Sequence, residues 1–251
     1  MDAYIICATP RTGSTLLCDL LASTKVAGCP DSYFMTDLDP VWVERWGFPG
    51  RSARDTPGHA ASHLEAAKKV GRGQTGVFGL RLMRRDLDGL SALIGQVFPD
   101  LPSDRARLEA AFGRVLYIHL SRVDKLGQAV SLVKAEQTGL WHVAPDGTEL
   151  ERLAPPKEPA YDFDRIARKV AELEGHDSAW RTWFDEQGIE PLPVAYERLS
   201  ADPSATLGRI LGALGLPQPA PDALRPGVAK LADATTHEWM RRYHADSAST
   251  G

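Results

Sequence analysis

Arg11, Thr12, Ser14 and Thr15 stand around Gly13, and all four side chains can donate hydrogen bonds to an anion. A second set follows later: Ser121-Arg122, then Ser131 further along. A guanidinium is a fixed, planar fork of donors that matches phosphate or sulfate oxygens. A glycine turn that opens a helix adds backbone N–H groups and the positive end of the helix dipole. The chemistry these residues suit is binding of a ligand with separate anionic groups. They do not form a nucleotidase P-loop. G-x-x-x-x-G-K-[ST] requires Lys where this chain has Ser14, and no Gly precedes Gly13 by five residues. The strand before Arg122 ends His119-Leu120-Ser121, where a magnesium site would need a carboxylate.

These side chains need strands that end beside one another. Tyr4 to Ala8 is a short apolar run ahead of Pro10 and reads as a buried parallel strand. Leu16, Leu17, Leu20 and Leu21 then form one stripe of a helix. Val26 to Phe34 reads as a short strand running into a loop. Further strands are expected at Gly76–Met83, with Arg81 near its end, at Arg114–Leu120 and at Leu192–Tyr196. Helices are expected from Asp86 to Phe98, through Leu126 to Val133, from Phe163 to Phe184, and from Pro203 to Leu214, where Gly215 stops the chain. Ala144 to Pro159 reads as a surface loop, and His237 to Tyr243 as a last helix. The alternation predicts an α/β fold, a P-loop-like, mostly parallel sheet with helices on both faces. Ligands of such sheets sit outside the carboxyl ends of the strands. That edge gathers Arg11, Asp31, Ser32, Arg81 and Arg122.

The chain is read as a single domain over 1–251. It carries an irregular insertion or lid at about 36–76, where Ala60 to Val70 has a helical pattern, and a disordered tail at about 245–251. The aromatics at Tyr33, Phe34, Trp42 and Trp46 either stack on an acceptor or form a small satellite core. No apolar run approaches the roughly 20 residues of a membrane span, and strand 1 starts too early to leave room for a signal peptide. Cys7, Cys18 and Cys29 lack zinc spacing and cannot all pair, so buried thiols in a reducing cytoplasm are expected. A net charge of −4 argues against a nucleic-acid partner. His119 alternates into a buried strand and reads as a packed histidine.

Thr9-Pro10-Arg11-Thr12-Gly13-Ser14-Thr15-Leu16-Leu17 resembles the 5′-phosphosulfate loop of sulfotransferases, specifically the Stf0 family of bacterial carbohydrate sulfotransferases. Arg122 to Ser131, with Gln128-Ala129-Val130-Ser131, is similar to that family's 3′-phosphate motif. Gly28-x-Pro30-x-x-Tyr33-Phe34, Trp180-Arg181-x-Trp183-Phe184 and Glu238-Trp239 through Arg242-Tyr243 support it. The resemblance implies the sulfotransferase fold. It implies a co-substrate, 3′-phosphoadenosine 5′-phosphosulfate (PAPS), no metal, and transfer to a hydroxyl of a carbohydrate or glycolipid-type acceptor. In this reading Arg11, Thr12, Gly13, Ser14 and Thr15 hold the 5′-phosphosulfate, and Arg122 and Ser131 the 3′-phosphate. Tyr33, Phe34 and Arg81 face the acceptor; the family often has Lys where this chain has Arg81. Some relatives form dimers, so a homodimer is an expectation. The family's general base is a Glu at the position of Ser32. Three outcomes stay open: Asp31 replaces it, a residue of 36–76 does, or turnover is slow or absent. The alternatives are a non-catalytic PAPS-binding module and, on a related fold, a P-loop kinase.

Overall fold

The structure, a computed structural model, describes residues 1–36, 40–48, 58–218 and 233–250. Its centre is a four-stranded, wholly parallel sheet of β1 (Ala3–Ala8), β2 (Phe78–Met83), β3 (Val115–Ser121) and β6 (Leu192–Ala195), in the order β2-β1-β3-β6. Every residue of β1 is buried, because helices cover both faces of the sheet. Its side chains divide by period 2. Ala3, Ile5 and Cys7 join one core with Phe78, Leu80, Phe112 and Trp180, whereas Tyr4, Ile6 and Ala8 join a second with Leu17, Leu21, Ile210 and Leu211.

Helix α1 (Ser14–Ser23) follows β1 and packs into the second core. Helices α2 (Pro40–Trp46) and α3 (His59–Arg72) precede β2, so the described part of the expected irregular insertion is helical; residues 37–39 and 49–57 lie outside the described residues. α4 (Leu87–Val97) follows β2 and a short 3-10 turn at 84–86. α5 (Asp104–Phe112), capped by Ser103, was not legible as a separate element. Helix α6 (Lys125–Thr138) follows β3 and opens at Asp124, whose side chain accepts from the Gly127 N–H.

Two further segments depart from the sequence expectation. Val26 to Phe34 forms no strand; one parallel bridge joins Asp31 to Leu80. Gly28 at φ +72° turns the chain away from extended geometry, and Pro30 has no N–H to donate. The segment expected as a loop from Ala144 to Pro159 contains half of an antiparallel hairpin, β4 (Leu140–Val143) with β5 (Glu149–Arg152).

Beyond the hairpin, α7 (Phe163–Glu186) runs along the sheet, and Trp180 Nε1 donates to the Ala8 carbonyl at 3.0 Å. α8 (Tyr196–Ala201) leaves β6 directly, and α9 (Pro203–Leu214) starts at the Asp202 cap. α10 (Ala234–Thr250) covers most of the tail expected to be disordered. Tyr161 holds it by donating its hydroxyl to Asp246 at 2.8 Å, and Trp239 packs into a third core with α6 and α7. Cys7 and Cys18 are buried, Cys29 is exposed, and all three are free thiols. Among the described residues no helix is long and apolar enough to cross a membrane.

Candidate functional site

The turn after β1 has two left-handed residues, Arg11 at φ +63° and Gly13 at φ +77°. A non-glycine residue rarely takes that conformation, so the fold holds Arg11 against its own preference. Gly13 meets a further restriction: a Cβ there would lie 2.6 Å from the Tyr196 ring. Gly13 is the N-cap of α1 and supplies no side-chain cap. The first N–H groups of the helix, from Ser14 onward, are therefore left for another acceptor. Thr12 turns inward and donates to the Thr9 carbonyl at 2.8 Å, which braces the turn. Gln128, buried at the start of α6, braces it from the other side through Thr9 Oγ1 at 2.9 Å and the Pro10 carbonyl at 2.6 Å.

Arg11 links three elements. Its Nε donates to Ser131 Oγ at 3.0 Å and its Nη1 to the Trp141 carbonyl at 2.7 Å. Burial, and then the Arg122 charge beside it, push its pKa down to about 10. The side chain still carries its charge at neutral pH.

Arg122, just past β3, lies 4.7 Å over the Tyr196 ring. Its Nη1 reaches the Arg11 carbonyl at 3.5 Å and its Nη2 reaches Asp124 at 3.3 Å, both long contacts. Its Nε is buried with no partner, and so is Glu197 Oε2. The two sequence motifs thus meet at Arg11, with Ser131 bonded to the Arg11 side chain and Arg122 touching its backbone. Ser131 and Arg122, expected to share one anionic group, are joined through Arg11.

Arg81 is arranged differently. Nε donates to Ser32 Oγ at 2.7 Å, Nη1 to Thr15 Oγ1 at 2.8 Å and Nη2 to Asp31 Oδ1 at 2.8 Å. Burial works against its charge, but Cys18, Asp31, Glu151 and Asp19 outweigh it and keep the pKa above the ordinary value. Asp31 Oδ1 also accepts from the Ser32 N–H at 2.8 Å. Asp31, weighed as the base, and Ser32, at the family's base position, are therefore both bonded to one guanidinium.

The hairpin brings in two residues that sequence reasoning missed. His142 on β4 pairs in register with Glu151 on β5. His142 Nε2 lies 3.1 Å from Thr15 Oγ1 and 3.3 Å from Glu151 Oε2. Burial first, then Arg11 and Arg81, push the His142 pKa down to about 3, so the imidazole is neutral. Burial raises the Glu151 pKa; Arg81 and Arg11 pull against that, while Asp31 adds to it. A signal for this hairpin exists in the sequence. Leu140 to Val143 and Glu149 to Arg152 flank Asp146-Gly147, a turn dipeptide. A continuous chain results: Asp31, Arg81, Thr15, His142, Glu151.

Tyr33 and Phe34 are not presented at this edge. Both are buried in the first core, where Tyr33 packs edge-on against Trp46 at 4.9 Å and donates its hydroxyl to the Cys29 carbonyl. Trp42 and Trp46 pack partly buried on the same cluster. These aromatics pack on the first core itself rather than in a separate satellite cluster, and the rings of Tyr33 and Phe34 are buried there. His119 faces the Phe184 ring at 5.3 Å, and burial lowers its pKa, as fits a packed histidine. Among the described residues no cluster of His, Cys, Asp or Glu is arranged to hold a metal.

The Stf0 sulphotransferase family profile matches residues 3–246. The chain is 31% identical over 271 residues to a trehalose 2-sulfotransferase of Mycolicibacterium smegmatis, covering 99% of this chain and 97% of that protein. It is 30% identical over 270 residues to the trehalose 2-sulfotransferase of Mycobacterium tuberculosis, covering 99% and 96%. A solved sulfotransferase domain from the Synechococcus PCC 7002 olefin synthase aligns at a TM-score of 0.41 and 17% identity, over 97% of this chain and 86% of that one. A profile match across the length of the sheet and its helices, with relatives matched end to end, makes the chain a member of the Stf0 sulphotransferase family.

Proposed function

We propose that the chain transfers a sulfuryl group from PAPS to a hydroxyl of a carbohydrate or glycolipid-type acceptor. The observation that carries this reading is the pairing of an uncapped α1 N-terminus with Arg11 and a buried Arg122 whose Nε has no partner. A buried guanidinium with an unfilled donor is costly unless an anion completes it. Those groups fit a ligand with two separated anionic ends.

In this reading Arg11, Gly13, Ser14 and Thr15, with the first N–H groups of α1, bind the 5′-phosphosulfate. Thr12 holds the turn rather than the ligand, since its hydroxyl is spent on Thr9. Arg122 takes the 3′-phosphate, with Ser131 as the link that orients Arg11. PAPS supplies the sulfuryl group and a phosphate leaving group. The chain's own residues orient the phosphosulfate and stabilise charge on the leaving oxygen. By analogy with phosphoryl transfer, positioning and charge stabilisation are the main contributions a protein can make. The relatives are named for trehalose, so a disaccharide hydroxyl is the first acceptor to test.

Calorimetry with 3′-phosphoadenosine 5′-phosphate (PAP) tests the donor site. Binding of PAP without metal, with no binding of ATP and magnesium, is the expected result; the reverse order would overturn the reading in favour of a kinase. One observation favours a second reading, a binding module without turnover: Ser32 stands where the family has a carboxylate, and Asp31 is engaged by Arg81. Labelled PAPS with purified protein separates the two, because the module releases no label.

A further inference from the structure

Transfer to a hydroxyl requires that the hydroxyl lose its proton, and a positioned base is worth about 10²–10⁴-fold. Asp31 is poorly placed for this. Its Oδ1 accepts from both Arg81 and the Ser32 N–H, and withdrawing it would leave a buried guanidinium short of a partner. Ser32 has no carboxylate. A different carboxylate reaches the same cluster from the hairpin.

Building on the sulfotransferase reading, we infer that Glu151 of β5 is the general base and that His142 of β4 positions it. Three observations converge. Glu151 and His142 are Cα partners across the hairpin, at a point where the ladder's register shifts on either side of His142. Glu151 Oε2 sits 3.3 Å from His142 Nε2, which itself lies 3.1 Å from Thr15 Oγ1 on the anion-binding turn. The same hairpin is fastened to that turn by Arg11, which donates to the Trp141 carbonyl at 2.7 Å. The base is thus tied to the elements that would hold the sulfuryl group.

The charges around Glu151 suit the role. The charges of Arg81 on β2, Asp31 in the loop before α2 and Arg11 in the turn after β1 act on it through space, and His142 of β4 touches it. The two guanidiniums lie close enough to oppose repulsion between a carboxylate and an anionic ligand. Burial holds Glu151 above the ordinary carboxylate range, which brings it closer to working pH and makes it a stronger base. His142, kept neutral, is the poorer proton acceptor and the better spacer. Glu151 remains about one-third exposed, so an acceptor can reach it.

The step balances. Glu151 takes the proton from the acceptor O–H, and the acceptor oxygen forms a bond to sulfur. The bond from sulfur to the bridging oxygen breaks, and its electron pair leaves on the 5′-phosphate of PAP.

The test uses the full chain, labelled PAPS and trehalose, and counts transfer to the sugar and to water together. Glu151→Gln is expected to lower kcat at least a hundredfold, to keep PAP affinity within about threefold, and to abolish the fall in rate at acid pH. Glu151→Asp is expected to restore part of kcat. His142→Gln is expected to move the acid limb without removing it. An unchanged kcat and acid limb in Glu151→Gln would overturn the inference, as would an acid limb that disappears in Asp31→Asn instead. Parallel loss of PAP affinity and kcat in Glu151→Gln would make the residue structural and overturn it too. Calorimetry of PAP binding in two buffers of different ionisation enthalpy gives a readout without turnover: over the carboxylate range the wild type is expected to take up more protons, or release fewer, than Glu151→Gln, the protons of the PAP phosphates being common to both. A wild type that fails to bind PAP overturns the sulfotransferase reading itself, an outcome separate from a PAP-binding wild type that is indifferent to Glu151.

Discussion

Arg81, near the end of β2, and Arg122, just past β3, sit on the two strands that flank β1, and their side chains are buried alike, with 16% and 14% exposed. Their bonding is not alike. Arg81 places all three nitrogens in short contacts, with Ser32, Thr15 and Asp31. Arg122 has two long contacts, a ring beneath it and an Nε without a partner. The two cations are equally withdrawn from water, but Arg122 is the less fully compensated within the protein, by a long contact to Asp124 and the Tyr196 ring. Arg81 is therefore part of the frame that holds the Asp31 loop, β2 and α1 together. In the proposed reading Arg122 is the cation left for a ligand.

Arg11 meets Arg122 through its carbonyl and bonds the hairpin that reaches Thr15, so its removal gives the largest effect. Arg11→Ala should cost ~3 kcal/mol of transition-state stabilisation, roughly a hundredfold or more in turnover, as is typical for loss of one charge-stabilising donor. Steady-state rates with labelled PAPS measure it. A near-normal rate would detach the turn from the chemistry.

Arg122→Ala sharpens the contrast from the ligand side. It should weaken PAP binding by ~1.5–3 kcal/mol, the usual worth of a hydrogen bond to a charged group. Adenosine 5′-phosphosulfate, which has no 3′-phosphate, should bind almost as before. Equal losses for both nucleotides in calorimetry would make Arg122 structural, like Arg81.

Arg81→Met probes the opposite side. It should lower unfolding free energy by about 1–2 kcal/mol, because Asp31 and Ser32 lose their partner while Asp31 keeps some access to water. Urea unfolding reads this directly, and Arg122→Ala should fall well below it. A reversed order would break the comparison.

The smallest effect is a pH dependence. His142 is held near 3 in the folded protein and returns to about 6.5 when unfolded. Between those values the unfolded chain binds the extra proton, so stability falls as pH drops below about 6.5. Glu151, raised by burial, acts in the opposite direction over the carboxylate range. Melting temperature should therefore fall from pH 7.5 to 5.5 in the wild type and fall less in His142→Gln. Identical slopes would mean that the ring titrates freely.

Legibility followed the range of the interactions. β1, β2, β3, α6, α7 and α9 were readable because apolar periodicity and caps such as Asp202 and Gly215 are local signals. The hairpin was harder. None of its residues is fully buried, so little periodicity marks it, and the Pro residues after Leu153 suggested a loop. The Val26–Phe34 strand failed because strand propensity there yields to Gly28 and Pro30 and to the burial of Tyr33 and Phe34.

By itself the sequence determined the alternating α/β order, the glycine turn that opens α1, and the placement of Arg11, Arg81 and Arg122 at strand ends. Residue type and local period decide all of these. Only the tertiary structure decided which cations are already neutralised, that Ser131 bonds Arg11, and that His142, with Glu151 beside it, reaches Thr15 from more than a hundred residues away. Such pairings depend on how strands and a hairpin come together in space, and the spacing of residues along the chain carries no record of them.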